Sequence, residues 1–500
     1  VKANLTSKII GGLFLTVALA SMYSGCKKDA PAIDLEEGNY PDAIGQIMLT
    51  KCAVSGCHNQ ASANAAAGLD LSSWTAMMKG DRNGAVVIPY SHENSTVYMY
   101  CNTYSDLGIV LQPTMPYNDE PLTRAQVTSL RNWINAGAPS REGKVAFADN
   151  PARKKYYVTN QGCDVVTVLD QESRLPMRYI KVGAEYGIES PHAIRISPDG
   201  LYWYVCFSSG RYLEKYRTSD DAFVGRILLG PDASSAFGSW NTFAITADSR
   251  HAFVIDWSTT GRIAWVDLDA MHCNLVYQTS AFVQTHGSMI SPDGNSLYVT
   301  TTSGNFIYKF DITDPNNPSW DQIIVDGVSS VPSSVSSENA HELMFSPDGS
   351  KYFLTCSGTN LVRVFDASTD TIIASIPVGV YPQEMSISRN TPYLYITCME
   401  DTATYPGKRG SVFIVNWQSN SVVSSVYTGH QPHGIAVDDE KQIVAIANRN
   451  VVPGGPAPHH SSACGGRNGY LSFIDMSMQT LIPGANLELS VDPYGCVFRP

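Results

Sequence analysis

The chain has 500 residues, a formal net charge of −12 and 16% charged residues. That length exceeds what one hydrophobic core normally organises, so two or more domains are expected. The acidic balance excludes nucleic acid as a natural partner and is compatible with docking a basic redox protein.

Residues 1–25 read as an export signal. Lys2 and Lys8 give a basic start, and Ile9 to Ala20 forms an apolar core too short for an ordinary membrane span. Ala18-Leu19-Ala20 is one cleavage candidate; cleavage before Cys26, in Tyr23-Ser24-Gly25-Cys26-Lys27-Lys28, is preferred. That stretch resembles a bacterial lipoprotein box, with Tyr23 in place of the usual leucine. The resemblance implies a lipid anchor on Cys26 and a place on the periplasmic or cell-surface side of a bacterial membrane. Residues 26–40 form a polar tether.

Residues 41–145 form the next unit. Cys52-Ala53-Val54-Ser55-Gly56-Cys57-His58 places histidine directly after a cysteine, with a second cysteine upstream. Two thiols can add to haem vinyl groups while the adjacent imidazole binds iron. The usual spacing is C-x-x-C-H, and here four residues intervene, so a disulfide or a structural zinc site are the competing readings. Met115, in Leu111-Gln112-Pro113-Thr114-Met115-Pro116, is the candidate sixth ligand; His92, Met77, Met78 and Met99 are rivals better explained by packing or surface placement. A helix is predicted from Leu122-Thr123 to Asn135-Ala136-Gly137, with Val127, Leu130, Trp133 and Ile134 on one face. This order resembles the small all-α class of c-type cytochromes. The resemblance implies one covalent haem c on Cys52 and Cys57, with iron held by His58 and Met115.

From residue 146 to 500 one pattern recurs. Ser197-Pro198-Asp199-Gly200, Ser291-Pro292-Asp293-Gly294 and Ser346-Pro347-Asp348-Gly349 each stand between two short apolar strands, and two further strands follow. Four strands per unit of forty-odd residues predict propeller blades. Tyr157-Val158-Thr159-Asn160 followed by Val165 to Asp170 resembles the YVTN-type propeller repeat. The first unit lacks an innermost strand, and Asp492 to Phe498 is its predicted replacement, closing a ring of seven blades. The fold class is therefore multidomain: a small α-helical cytochrome unit, then an all-β seven-bladed propeller.

Five places before each turn stand His192, Asn241, His286, His341, Gln383 and His433, with Tyr494 on the closing strand. Innermost strands line the channel, so these residues should ring one mouth. His459 and His460, in a long loop of the last blade, should reach the same face, with Arg449 and Arg467 adding positive charge; His251 and His272 should lie exposed opposite. The ring fits a transition-metal site, since imidazole suits copper, zinc, iron and nickel. It also fits a polar substrate or docking mouth, or plain channel lining.

A cytochrome joined to a propeller is similar, without a close match, to exported redox proteins such as haem-d-binding nitrite reductases and nitrous oxide reductase. The reading is electron transfer to or from a redox partner protein or small substrate, with the propeller as a binding or redox module. Whether it is a periplasmic oxidoreductase stays open. The alternatives are a scaffold propeller with an accessory cytochrome and a metal-dependent propeller lyase. Of eight further cysteines, several lie in strand patterns, so buried thiols and disulfides are both expected.

Overall fold

The structure is a computed structural model that describes residues 35–184, 187–451, 468–484 and 486–499. The export signal, the Cys26 anchor and the loop carrying His459, His460 and Arg467 lie outside the described residues.

The N-terminal unit is built on four short α-helices: α1 (Asp42–Ile47), α2 (Trp74–Met77), α3 (Thr96–Cys101) and α4 (Arg124–Asn135). The predicted helix is α4. Thr123 caps it in a reciprocal box with Gln126, satisfying two backbone N–H groups that a helix start leaves open. Val127, Leu130 and Ile134 are fully buried against Ile44, Ile47 and Trp74. Each such aliphatic side chain contributes about 1.5–3 kcal/mol by leaving water. Trp74 Nε1 donates to the Ala138 carbonyl at 2.8 Å, tying α2 to the chain beyond α4.

The rest is seven antiparallel sheets of four strands each, one of them carrying an extra short strand, Leu487–Leu489. The turns behave as their sequence requires. Ser197 Oγ donates to Asp199 Oδ1 at 2.5 Å and Gly200 takes a φ of +73°, a conformation open to glycine without a steric cost.

The ring closes as expected. Pro493–Arg499 is the innermost strand of the blade completed by Lys155–Asn160, Val165–Asp170 and Pro176–Lys181, with Lys155 opposite Arg499 and Tyr157 opposite Val497. Innermost strands touch their neighbours around the whole circle. A buried ion pair joins the closing blade to the next: Lys155 Nζ lies 2.8 Å from Asp221 Oδ2, whose Oδ1 accepts from Tyr157 OH at 2.9 Å.

The helical unit packs on the closing blade. Ala85 and Ile88 are buried with Cys163, Val165, Tyr179 and Val491. The Arg178 guanidinium lies over the Tyr90 ring at 5.2 Å, and Lys181 pairs with Glu93 at 3.1 Å. Cys206, Cys356, Cys398 and Cys496 are buried free thiols, while Cys163 is disulfide-bonded. No described helix is long and apolar enough to cross a membrane.

Candidate functional site

A cavity of about 810 Å³ opens in the helical unit, within the size range of cofactor sites. Cys52, Cys57, His58 and Met115 all line it. Helix α1 runs on through a π-helical turn, Met48–Cys52, which delivers Cys52 to the floor. Gly56 then takes a φ of +81° and turns the loop back, and His58 N donates to the Cys52 carbonyl at 3.1 Å. The four-residue insertion is thus absorbed in a bulge, leaving both thiols and the imidazole on one cavity. The Met115 loop is pinned to α3, with Leu111 N on the Met99 carbonyl at 3.0 Å and Met115 N on the Tyr100 carbonyl at 2.8 Å.

The rival ligands lie elsewhere. Met77 and Met99 are buried in packing, Met78 packs at the edge of the core, and His92 Nδ1 sits 2.9 Å from Asn135 Oδ1. None of them lines the cavity.

His58 Nδ1 is buried without a hydrogen-bond partner. Burial lowers the His58 pKa, against the opposing pull of the nearby Leu69 carbonyl and Asp81, so the ring is neutral at pH 7. The walls are largely apolar, including Leu69, Leu71, Val86 and Val97. A large apolar cavity, two thiols, a neutral imidazole with an unengaged nitrogen and a thioether fit a covalently held haem. Cys101, which local spacing did not single out, lies against Cys52. Their thiol–thiol contact lowers the Cys52 pKa, and the same contact with burial raises that of Cys101 well above the usual thiol range.

The channel ring is also formed. Its imidazoles and phenol make a continuous chain of contacts: His192–His286 at 5.7 Å, His286–His341 at 4.1 Å, His341–His433 at 5.9 Å and His433–Tyr494 at 3.7 Å between ring centroids. Tyr494 returns to His192 at 4.4 Å, completing the circuit. Gln383 and Asn241 turn to local partners: Gln383 Nε2 donates to Ser357 Oγ at 2.7 Å, and Asn241 Oδ1 accepts from Ser239 Oγ at 3.0 Å. Burial pushes the His286 pKa down to about 4, and those of His192, His341 and His433 well below the usual value.

One expectation is refined and one corrected. Arg449 does bring positive charge to the ring: its guanidinium lies 4.6 Å from the Tyr494 ring centroid and helps, after burial, to lower the His192 and His433 pKa values. It is also paired with Asp492 through two contacts, 2.7 and 2.9 Å. His251 is half-buried with its ring 5.8 Å from Trp265, and only His272 is exposed.

Sequence reasoning missed Glu342 and Glu384. Glu342 is buried and Glu384 half-buried, and the charge of Arg195 acts on both. The signal was present: the residue after His192, His286, His433 and Tyr494 is Ala or Gly, while after His341 and Gln383 it is Glu.

Residues 55–108 match the family model described as Planctomycete cytochrome C. The matched stretch holds Cys57 and His58, begins after Cys52 and ends before Met115. No curated protein matches the chain. Among solved structures, a putative 6-phosphogluconolactonase from Bacteroides uniformis is similar at 16% identity and a TM-score of 0.50, covering 69% of this chain and 99% of that one. A functionally unknown protein from Desulfotomaculum acetoxidans is similar at 15% identity, TM-score 0.48, covering 68% and 99%. Kuenenia stuttgartiensis hydrazine synthase is similar at 17% identity, TM-score 0.45, covering 59% and 79%. Identities this low speak to fold and not to activity. The chain carries a cytochrome c domain followed by a seven-bladed β-propeller.

Proposed function

We propose that this chain is an exported, lipid-anchored electron-transfer protein with one covalent haem c. The observation that carries the reading is the single cavity bringing together Cys52, Cys57, His58 and Met115. Cys52 and Cys57 would hold the ring edge through thioether links, and His58 and Met115 would bind the iron. The bound group supplies one-electron chemistry. The protein's part is to hold His58 neutral, present the Met115 sulfur on a loop tied to α3, and keep water from the site with apolar walls. A thioether ligand favours a higher potential than a second imidazole would.

The propeller is the partner- or substrate-binding and redox module. Its mouth, ringed by His192, His286, His341, Gln383 and His433, takes a polar substrate, a docking partner or a transition ion. Export and anchoring through Cys26 rest on residues 1–26, and the disulfide at Cys163 is in keeping with an oxidising compartment.

The test is periplasmic expression in a host with cytochrome maturation machinery. The denatured protein should keep its haem on a gel, with the spectrum of a ring carrying two thioether links. A colourless protein from that host would overturn the electron-transfer reading. Cys26→Ser should release the protein from the membrane fraction; retention would point to another anchor.

A further inference from the structure

His286 and His341 stand on adjacent innermost strands, Thr285–Ile290 and Ala340–Phe345, and Glu342 follows His341. One ligand atom from each of the three lies within 4.8 Å of the others, and all three residues are buried. His286 Nδ1 lies 3.3 Å from the His341 carbonyl oxygen. A carbonyl only accepts, so Nδ1 carries the proton and Nε2 keeps its lone pair. The carbonyl therefore holds the His286 ring in a ligating tautomer. His341 Nδ1 is buried with no hydrogen-bond partner. An unpartnered buried nitrogen is costly, so this one calls for a partner.

Charge points the same way. Buried Glu342 and half-buried Glu384 lie close enough to repel, and both draw on one guanidinium, that of Arg195, whose Nη2 is 3.2 Å from Glu342 Oε1. Two carboxyls share one guanidinium, so a second cation beside buried Glu342 would favour its carboxylate form. The other oxygen, Glu342 Oε2, lies over Gly287, where a Cβ would come within 2.7 Å of it. Glycine after His286 leaves room both for the His341 carbonyl, which that Cβ would also meet, and for this oxygen.

We propose that His286, His341 and Glu342 bind one divalent first-row transition ion. This deepens, and rests on, the reading of the propeller mouth as a redox or substrate-binding module. Two imidazoles and a carboxylate suit Mn2+, Fe2+ or Zn2+ and disfavour a soft ion such as Cu(I), which prefers sulfur. The ion supplies that second positive charge beside Glu342 and gives the imidazole nitrogens a partner. It commits the mouth to substrates that can coordinate, such as carboxylates or hydroxyl-bearing anions.

The experiment uses the full haem-loaded chain in its reduced state, stripped of loose metal. Mn2+ is titrated and the free ion followed by EPR; Zn2+ content is measured by elemental analysis after dialysis, counted separately from iron. Wild type and His272→Gln, an exposed histidine outside the ring, should each hold one equivalent of Mn2+ or Zn2+. Glu342→Gln and His341→Gln should bind at least tenfold more weakly. Pulsed EPR of Mn2+-loaded wild type needs no variant and should show directly bound imidazole nitrogen. Failure of wild type to hold either ion, full binding by Glu342→Gln, or bound Mn2+ without nitrogen coupling would each overturn the proposal. A covalent haem with no second ion would sink this inference alone, whereas a second ion without covalent haem would sink the electron-transfer reading alone.

Discussion

The backbone N–H of Glu488, on the propeller's last blade, donates to the carbonyl of Asn83 in the cytochrome domain at 3.0 Å. Both residues border the cavity that holds Cys57 and His58. One wall of the candidate haem pocket therefore belongs to the propeller, and the two domains share a site as well as a surface.

Glu488, a lining residue of that cavity, should stabilise the oxidised state of a bound haem through its negative charge. Glu488→Gln should raise the midpoint potential, by on the order of tens of mV if the charge acts through a partly screened medium. A spectroelectrochemical titration checks this. An unchanged potential would mean that the propeller edge does not sense the haem.

Met115 is the one candidate sixth ligand that lines the cavity. Met115→Ala should lower the potential or leave a site open to added imidazole or cyanide, read in the visible spectrum. Met99→Leu, a change within buried packing, should leave ligation intact and alter stability by less than about 1.5 kcal/mol. The reverse pattern would reassign the ligand.

Lys155 and Asp221 form a pair in which both side chains are only 2% exposed. Removing one partner strands the other's charge, at a cost of about 3–5 kcal/mol. Asp221→Ala should therefore lower the urea midpoint sharply. Replacing both residues with apolar ones of similar volume should recover much of that loss. Equal midpoints for Asp221→Ala and wild type would show the pair to be dispensable.

The channel imidazoles should make metal-free protein acid-sensitive. The His286 pKa lies at about 4 in the folded chain and near ~6.5 when unfolded, so between those values the unfolded state binds the extra proton. Stability contributed by the neutral ring is present above the unfolded value and lost as pH falls towards 4, by about 3 kcal/mol for this residue. The groups facing it are His192, His341, Trp257 and Glu342. Glu342 and Glu384 have raised values and act in the opposite sense, stabilising as pH falls through them. The reading is thus a difference: His286→Gln should flatten the fall in stability between pH 6.5 and 4.5 relative to wild type. Parallel curves would contradict the assignment.

Much of this architecture was legible because its signals are local. Thr123 with Gln126, and Ser197 with Asp199, fix elements within a few residues, and the blade repeat converts one position into a ring. Glu342 and Glu384 were harder to see, since a charged residue in a strand usually faces solvent; only comparison with the Ala and Gly after the other ring residues marks them as internal. Cys101 meeting Cys52, Asp492 gripping Arg449, and Ala85 and Ile88 packing on Val491 join segments far apart in sequence, and no local pattern encodes them.

The strand Pro493–Arg499 also sets an order of assembly. Gly495 N donates to Thr159 Oγ1 across a separation of 336 residues, so the seam of the ring joins segments made early and late in synthesis. Closing a loop that long costs only slightly more entropy than a shorter one, but such distant pairing slows folding. Glu488 and Val491, which complete the cytochrome's docking surface, lie in the same late segment. The cytochrome domain is therefore made before its propeller wall exists, with its cavity still open on that side. One late segment thus completes both the pocket wall and the ring.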